Sequence, residues 1–406
     1  MRRVAWGLLL VFVFTIPWEY SLELGAPLGN IARVTGLGLL LIAIPATLQS
    51  GRLRRPGLLQ LLAIALYLWF CLSYLWTIEP QVTFATLRSY FQEFMIVWLV
   101  WEFAEDAGDL FALMRAWLAG SAVLAVLTYV GFASAADLMD GHYRFVAVGQ
   151  DPNDAARYLF LGFPVAAFLI DVERGWLRLA AAIYIPLGLA AVLLTASRSG
   201  FLCALVALAG CAVLLLRNHA RVAVLGGMAL PLVVLVVWSV APHGTLGRLG
   251  TILEQVQTGD LNQRLNIWGA GWRAFVLAPL IGHGAGSFVT AAGLAPIDTA
   301  HNTLLSVAVE GGLWAACIAA AIFFACARLV MTANGTMRTA MATLLVVLVV
   351  ASLTGTVLES RSTWLALSLI SLSGRISCEA SEIQFVRSAL KESIRSGRPA
   401  DAGSCE

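Results

Sequence analysis

The chain has 406 residues, of which 60% are hydrophobic and only 12% are charged, and its formal net charge is +2. Soluble domains carry about 25% charged residues, so this composition excludes an ordinary soluble protein. Such a small net charge gives no reason to expect a nucleic-acid partner. Apolar stretches of about 18 residues or more recur along most of the chain, and that length suffices to cross a bilayer. Because stretches such as 58–76 do not alternate polar and apolar residues, we expect an all-α polytopic membrane protein rather than a β-barrel.

Twelve candidate membrane spans follow one another along the chain. They lie near residues 4–20, 31–49, 58–76, 86–104, 109–132, 155–171, 177–196, 200–216, 222–241, 302–328, 339–358 and 362–376. Alternate loops between them hold most of the arginines, and basic residues in short loops stay in the cytoplasm. We therefore expect both termini to be cytoplasmic, although the acidic loop 105–109 opposes this bias.

The spans define a membrane domain over residues 1–376, followed by a polar cytoplasmic tail at 377–406 that is either a short amphipathic helix or frayed chain. The membrane domain includes a long outer loop at 242–300, and loops of this length in compact proteins are usually functional. Large apolar residues recur in the loop at helical spacing, which predicts a helix on or near the membrane surface. They are Leu261, Leu265, Trp268, Trp272 and Phe275.

His301 opens the stretch TAHNTLLSVAVEGGLWAA at 299–316, at the outer end of a predicted span. If a helix begins at Asn302, a rotation of about 100° per residue places a stripe of small residues beneath the histidine. The stripe consists of Ala308, Gly312, Ala315 and Ala319. Small residues allow another helix to pack closely, so we expect this stripe to determine where His301 points. The same geometry places Glu310 on the opposite face.

The positive end of the helix dipole disfavours a histidine cation at this position. His301 should therefore be neutral, as a general base requires. The alternative is an interfacial histidine that only forms hydrogen bonds.

Three arginines, Arg198, Arg264 and Arg361, lie on the predicted outer side, where the positive-inside bias disfavours them. A guanidinium presents a planar fork of donors that suits phosphate, so these residues predict an anion site. The alternatives are a headgroup anchor for Arg198, a snorkelling side chain for Arg264 and a carboxylate ion pair for Arg361.

Other motifs point to structural roles. In QDPND at 150–154, Asp151 and Pro152 predict the start of a helix. The glycine-rich IGHGAGSF at 281–288 lacks G-K-[ST], so it predicts a turn rather than a nucleotide loop. Outer carboxylates such as Asp137 and Asp140 are too sparse to predict a metal site. We therefore expect chemistry that uses histidine and arginine without a metal or another cofactor.

His301 and Asn302, followed by nine residues and Gly312, resemble the H-[NSQ]-x9-G-x-x-[GTY] signature of bacterial O-antigen ligases and their polymerase relatives. Ala315 stands where the signature has Gly, Thr or Tyr. The S-R-S-G turn at 197–200, the DPND step and the segment 263–288 are similar to further motifs of that family. The resemblance covers roughly residues 145–320 in order, together with the twelve-span plan.

This resemblance implies a multi-pass GT-C-type glycosyltransferase of the bacterial inner membrane. Such ligases transfer a glycan from undecaprenyl pyrophosphate to a lipid A–core hydroxyl at the periplasmic face, without a cofactor. The expected partners are the lipid-linked donor, the lipid A–core acceptor and membrane lipids. His301 would accept the proton of the acceptor hydroxyl, and Arg198 and Arg264 would neutralise the leaving pyrophosphate, with inversion at the anomeric carbon. Further expected substrate-binding residues are Asn302, Arg361, Asn153 and Arg273.

Three alternatives remain open at this stage. A polymerase would use a second lipid-linked glycan as the acceptor, and a protein O-oligosaccharyltransferase would use a protein. R-x10-G pairs, which mark some polymerases, occur here about as often as chance predicts. A transporter would favour inverted repeats and charges near mid-membrane, whereas the polar residues of interest here cluster at one face.

Overall fold

The computed structural model describes residues 1–25, 28–135, 144–250, 263–296 and 298–396. Asp137, Asp140 and Leu261 lie outside the described residues. The described chain is helical, with one isolated β-bridge between Glu23 and Asn30.

The helices are numbered here in chain order. They are α1 (Arg2–Thr15, continued by a 3-10 turn Ile16–Ser21), α2 (Ile31–Ser50), α3 (Leu58–Ser73), α4 (Pro80–Phe103), α5 (Ala107–Ala135), α6 (Pro152–Val172), α7 (Gly175–Leu194), α8 (Arg198–Asn218), α9 (Ala220–Val240), α10 (His243–Gly250), α11 (Arg264–Leu277), α12 (Phe288–Ala291), α13 (Thr303–Thr332), α14 (Gly335–Thr354) and α15 (Arg361–Ser396).

A helix lies at each of the twelve predicted span positions. Within the described residues, nine are long and apolar enough to cross a membrane, which agrees with a multi-pass membrane protein. The other three are α3, which has 16 residues, and α4 and α15. The count of twelve crossings stays a prediction, and so does the division at residue 377, since α15 continues through it to Ser396.

The core is built around α6. Every residue from Ala155 to Ile170 on this helix is buried, and α6 packs against α5, α7, α8 and α14. In contrast, Val237 is the buried residue of α9, so that helix lies at the periphery. The residues that begin α6 are therefore held by the most rigid part of the bundle.

In the described chain α2, α6, α8 and α13 begin with a side-chain cap, which satisfies backbone N–H groups that have no partner within the helix, and the last three of these helices matter here. Asp151 accepts hydrogen bonds from the backbone N–H of Asn153 at 2.7 Å and of Asp154 at 3.3 Å, so the predicted start of α6 is confirmed. Ser197 caps α8 at 3.1 Å and Asn302 caps α13 at 3.0 Å. These caps fix the first residues of all three helices.

One end of the bundle gathers predicted cytoplasmic residues. Arg2 donates to the carboxylate of Glu102 at 2.9 Å. Arg54 and Arg375 both donate to the carbonyl of Ala104, at 3.2 and 2.6 Å. These basic residues come from the chain start, the α2–α3 loop and α15, and they meet at the α4–α5 loop. This grouping supports the predicted alternation of the spans; which end faces the cytoplasm stays a prediction.

The helical-wheel expectation for His301 is wrong. His301 lies before the Asn302 cap with φ 46°, so it is not a helical residue. In addition, α13 is broken at Gly312, where φ is 68° and ψ is −166°. Gly312, Ala315 and Ala319 are buried as expected. Because His301 precedes the helix and Gly312 interrupts it, a regular helical stripe does not determine where the histidine points.

The start of the glycine-rich loop at 281–288, together with Leu280 before it, packs against α13 at the kink. A Cβ on Gly312 would lie 2.2 Å from the carbonyl oxygen of Leu280, so only glycine fits there. Backbone N–H groups of the loop continue the contact, because Gly284 donates to the carbonyl of Glu310 at 2.8 Å. The Glu310 carboxylate accepts from Gly286 N–H at 2.8 Å and from Ser306 at 3.1 Å. Glu310 thus fastens the loop to α13.

Candidate active site

A cavity of about 490 Å³ lies where several helices begin. His301, Arg264, Asn153 and Arg361, four of the seven predicted site residues, line it. Five helices (α6, α8, α11, α13 and α15) start beside it, and a helix N-terminus presents backbone N–H groups and a partial positive charge. The backbone alone therefore favours a negatively charged ligand.

His301 has the properties of a neutral base. Burial, followed by the charge of Arg264, lowers the pKa of its imidazole, while Asp151 and Asp298 oppose the shift. The sequence suggests that the helix dipole keeps His301 neutral, whereas in the structure burial and the charge of Arg264 lower its pKa. The hydroxyl of Thr299 lies 3.3 Å from Nδ1 and 3.2 Å from Nε2, so it contacts the ring edge.

Arg264 is the first residue of α11, as expected from its place one turn before Trp268. The Trp268 indole donates to the carbonyl of Ala300 at 2.9 Å. This bond joins the helix that carries Arg264 to the residue immediately before His301. Burial, followed by the charge of Arg198, lowers the pKa of Arg264. The two predicted catalytic residues are therefore held next to each other by a hydrogen bond between their own segments.

The other face of α11 agrees with the predicted surface helix. Leu265 and Trp272 are 49% and 60% exposed, as a face against lipid would require. The buried face differs from the predicted stripe, because Ile267, Ala270 and Ala274 pack inward.

Arg198 opens α8 directly after the Ser197 cap. The next two residues, Ser199 and Gly200, line the cavity. Arg198 Nη1 is buried, and no hydrogen-bond acceptor reaches it from the described residues. A buried donor without a partner costs free energy unless a ligand satisfies it. The orientation of Arg198 thus suits an anion that has yet to bind.

Sequence reasoning missed two arginines, Arg144 and Arg248. Burial lowers the pKa of Arg144; Asp151 raises it, and Arg248 and Arg198 lower it, so these guanidinium groups lie close to one another. We call Arg144, Arg198, Arg248 and Arg264 the basic cluster. Both missed residues lie in predicted outer loops, where the same positive-inside argument could have found them.

Asn153 links Arg144 to the turn that presents Arg198. Its Oδ1 accepts a hydrogen bond from Arg144 at 3.0 Å and another from Ser197 at 2.8 Å. It therefore joins the start of α6 to that turn. Asn153 also lines the cavity, and it positions the guanidinium group of Arg144 directly.

Backbone strain is concentrated at this site. In the described chain, the non-glycine residues with positive φ are Ala196, Gln263 and His301. The first two lie immediately before the Ser197–Arg198 turn and before Arg264. Such conformations cost on the order of 1–3 kcal/mol each and persist where the surrounding structure enforces them. The fold therefore holds Arg198, Arg264 and His301 in positions that an unstrained chain would not adopt.

A second part of the cavity is acidic. Glu19, Glu93 and Glu359 line it, and we call them the acidic wall. Arg361 forms an ion pair with Glu19, so its predicted pairing with a carboxylate is confirmed, although the partner is not the adjacent Glu359. The hydroxyl of Tyr158 also donates to Glu19 at 3.0 Å.

Glu359 belongs to the same wall but has different neighbours. Its side chain is exposed, and it lines the cavity. Burial raises the pKa of this carboxyl, Arg157 lowers it and Asp154 raises it.

Two predicted substrate-binding residues do not line this cavity as the described residues define it. The side-chain oxygen of Asn302 is occupied by the α13 cap. Arg273 is exposed on α11, with Nη1 above Gly269. Their substrate-binding roles gain no support from these positions.

Residues 183–320 match a family model described as O-Antigen ligase. This range contains Arg198, Arg264 and His301, together with the glycine-rich loop. No curated protein matches the chain. The match supports an enzyme of the O-antigen ligase or polymerase type, which acts on lipid-linked glycans as a membrane glycosyltransferase. The match at residues 183–320 confirms the resemblance of the chain to the O-antigen ligase family.

Proposed function

We propose that this protein is an O-antigen ligase that transfers a glycan from undecaprenyl pyrophosphate to a lipid A–core sugar hydroxyl at the periplasmic face of the inner membrane. One observation carries the proposal. His301 and Arg264 line the same cavity, and Arg264 is close enough to lower the pKa of His301. A neutral base beside a phosphate-binding cation is what this transfer requires, and neither group needs a metal.

In the proposed reaction the acceptor hydroxyl oxygen attacks the anomeric carbon of the donor glycan. His301 accepts the hydroxyl proton, and the bond between the anomeric carbon and the pyrophosphate oxygen breaks. Attack from the side opposite the leaving group inverts the anomeric centre. Base catalysis of this kind accelerates a reaction by about 10²–10⁴.

The leaving pyrophosphate gains negative charge as its bond to the sugar breaks. Arg264 and Arg198 stabilise that charge, and Arg144 adds a third guanidinium close by. Arg198 Nη1 lacks an acceptor among the described residues, and a phosphate oxygen would supply one. Charges fixed before the reaction are effective because they need not reorganise in the transition state.

The test uses detergent-purified protein with a lipid-linked donor and a lipid A–core acceptor. We expect His301→Ala to lower turnover by about 10²–10⁴ without loss of folding, because the base is removed. Arg328→Ala is the matched control, since Arg328 is an exposed residue near the other end of α13. Normal transfer by His301→Ala at equal expression would contradict the proposal.

The product distinguishes the ligase from its alternatives. A ligase places the glycan on lipid A–core. A polymerase lengthens the undecaprenyl-linked chain, and a protein O-oligosaccharyltransferase modifies protein. Measured glycan flux without any transfer would identify a transporter.

A further inference from the structure

The acidic wall has a carboxylate that the proposed chemistry leaves unused. Glu93 is 3% exposed, it lines the cavity, and its Oε2 receives no hydrogen bond from the described residues. Glu359 lines the cavity beside it. Glu19, the third member of the wall, is already paired with Arg361 and Tyr158. Glu93 and Glu359 are therefore the members of the wall that are open to a ligand.

Charge excludes the pyrophosphate from this wall. A carboxylate repels phosphate oxygens and accepts hydrogen bonds from O–H or N–H donors. A metal ion is also disfavoured, because the described residues contain no group of three or more His, Cys, Asp or Glu that could hold one. The fitting ligand is therefore one that donates several O–H or N–H hydrogen bonds, as the hydroxyl groups of a sugar ring do.

The surrounding side chains suit such a ligand. Tyr20, Ser89, Thr356 and Ser360 line the same cavity and supply hydroxyl groups that can donate or accept. Carboxylates together with hydroxyls recognise the alternating donors and acceptors of a sugar ring. Bonds to a charged acceptor are about twice as strong as neutral ones, so the carboxylates should dominate binding.

The lining of the cavity comes from separate elements. His301 and Arg264 lie just before α13 and at the start of α11, whereas Glu93 lies on α4 and Glu359 in the turn before α15. An inverting displacement holds the nucleophile and the leaving group on opposite sides of the anomeric carbon. If the pyrophosphate lies at the basic cluster, the acceptor sugar lies on the side away from it.

We propose that Glu93 and Glu359 bind the hydroxyl groups of a neutral sugar ring in the acceptor and so hold it for attack. This subsite rests on the proposed transfer reaction. Each carboxylate accepts hydrogen bonds from ring hydroxyls, and Glu93 Oε2 gains the donor that it lacks. The two carboxylates are positioning residues, because no bond of the acceptor forms or breaks at them.

The kinetic test compares Glu359→Gln and Glu93→Gln with the wild type at varied donor and varied acceptor concentrations. Each substitution keeps the shape of the side chain and removes the charged acceptor. We expect the acceptor KM to rise about tenfold or more and the donor KM to change less than twofold. A rise in the donor KM instead, or no change in either constant, would overturn the assignment.

A direct binding test separates this subsite from the transfer reaction itself. Saturation-transfer proton NMR in a sugar-free detergent would use methyl glycosides of glucose, galactose and N-acetylglucosamine as one probe, and broadening of the phosphorus-31 signal would report the binding of inorganic pyrophosphate as the other. The wild type should bind both. Glu359→Gln should lose the glycosides and keep pyrophosphate, whereas Arg264→Gln should do the reverse.

The outcomes are distinguishable. Pyrophosphate binding without glycoside binding in the wild type overturns the sugar subsite and leaves the proposed function standing. Glycoside binding without pyrophosphate binding or transfer overturns the proposed function alone. Should Glu93→Gln fail to fold in a thermal-unfolding assay, Thr356→Val tests the same sugar subsite through a hydroxyl that lines the cavity. We expect it to raise the acceptor KM by about threefold. An unchanged acceptor KM in both Thr356→Val and Glu359→Gln would sink the proposal.

Discussion

The basic cluster and the acidic wall meet at one cavity, which Arg264 lines together with the three glutamates. Three of the four arginines of the basic cluster, Arg198, Arg248 and Arg264, lie inside the segment 183–320 that matches the O-antigen ligase model, and Arg144 lies before it. Glu19, Glu93 and Glu359 all lie outside that segment. We therefore expect the handling of the leaving group to be a property of the matched domain. Selection of the acceptor would then depend on the helices packed around it.

The two regions are also held in different ways. In the basic cluster, Arg198 and Arg264 begin helices close behind strained residues, so their backbone positions are fixed before a ligand arrives. In the acidic wall, Glu93 lies on α4, Glu19 in the 3-10 turn after α1 and Glu359 in the turn before α15, and the Arg361–Glu19 ion pair partly neutralises the wall. Fixed charge suits the stabilisation of a transition state, whereas a wall of hydrogen-bond acceptors suits the binding of a ground-state sugar.

Among the substitutions that compare the two regions, the loss of one charge from the basic cluster should have the largest effect. We expect Arg264→Gln to lower kcat by about 10²–10³, as when a preorganised donor to a developing anion is lost. The corresponding loss of one charge in the acidic wall, in Glu359→Gln, should mainly raise the acceptor KM. If steady-state kinetics show that both variants change the same constant, the two regions do not have separate roles.

Arg264→Gln should also move the pH profile. Burial and Arg264 together lower the pKa of His301, so the neutral base persists to lower pH. As the pH falls through this lowered pKa, the imidazole gains a proton and transfer stops. Removing Arg264 raises the pKa, so the acidic limb of the rate profile should shift to higher pH. A limb that stays in place would show that His301 does not titrate in the rate-limiting step.

The next largest effect should come from the contact between Gly312 on α13 and the chain that leads into the glycine-rich loop. Gly312→Ala would place a Cβ 2.2 Å from the carbonyl oxygen of Leu280, at a positive φ. Gly335→Ala is the matched control, since Gly335 also has a positive φ and no atom lies within 4 Å of its Cβ position. We expect Gly312→Ala to lower the melting temperature clearly more than Gly335→Ala does. Equal losses would mean that backbone strain alone decides the result.

Sequence could predict the helical membrane plan, His301 and Arg264, because those inferences need only residue type, spacing and the side of the membrane. It could not predict that His301 precedes its helix with a positive φ, or that Gly312 breaks α13. A helical wheel assumes regular geometry, and both exceptions arise from tertiary packing. Glu310 shows the same limit, because its partners in the loop at 284–286 are brought to it by the kink.

The acidic wall could not be predicted from the sequence, because it is formed by segments that are distant in the chain. Glu93 and Glu359 are 266 positions apart, and nothing in their local sequence marks them as neighbours. Arg144 and Arg248 were within reach of the positive-inside argument, but only their closeness to each other and to Arg198 in the folded chain groups them. Tertiary contact decides which polar residues of a membrane chain act together.

The smallest effect should come from the hydrogen bond that aligns the basic cluster with His301. Trp268→Phe keeps an aromatic ring but removes the indole N–H that donates to the carbonyl of Ala300 at 2.9 Å. A hydrogen bond of this kind contributes about 0.5–1.5 kcal/mol, so we expect kcat to fall by up to about tenfold. The control is Trp272→Phe on the same helix, whose side chain is 60% exposed.

The pattern of the loss tells whether Trp268 positions the site or only stabilises the fold. If it positions Arg264 against His301, kcat falls in Trp268→Phe while the donor and acceptor KM values stay within about twofold, because the substrate contacts remain. If it only stabilises α11, the melting temperature falls and the kcat of the folded protein is unchanged. The first pattern would extend the contrast between the two regions from charge to alignment.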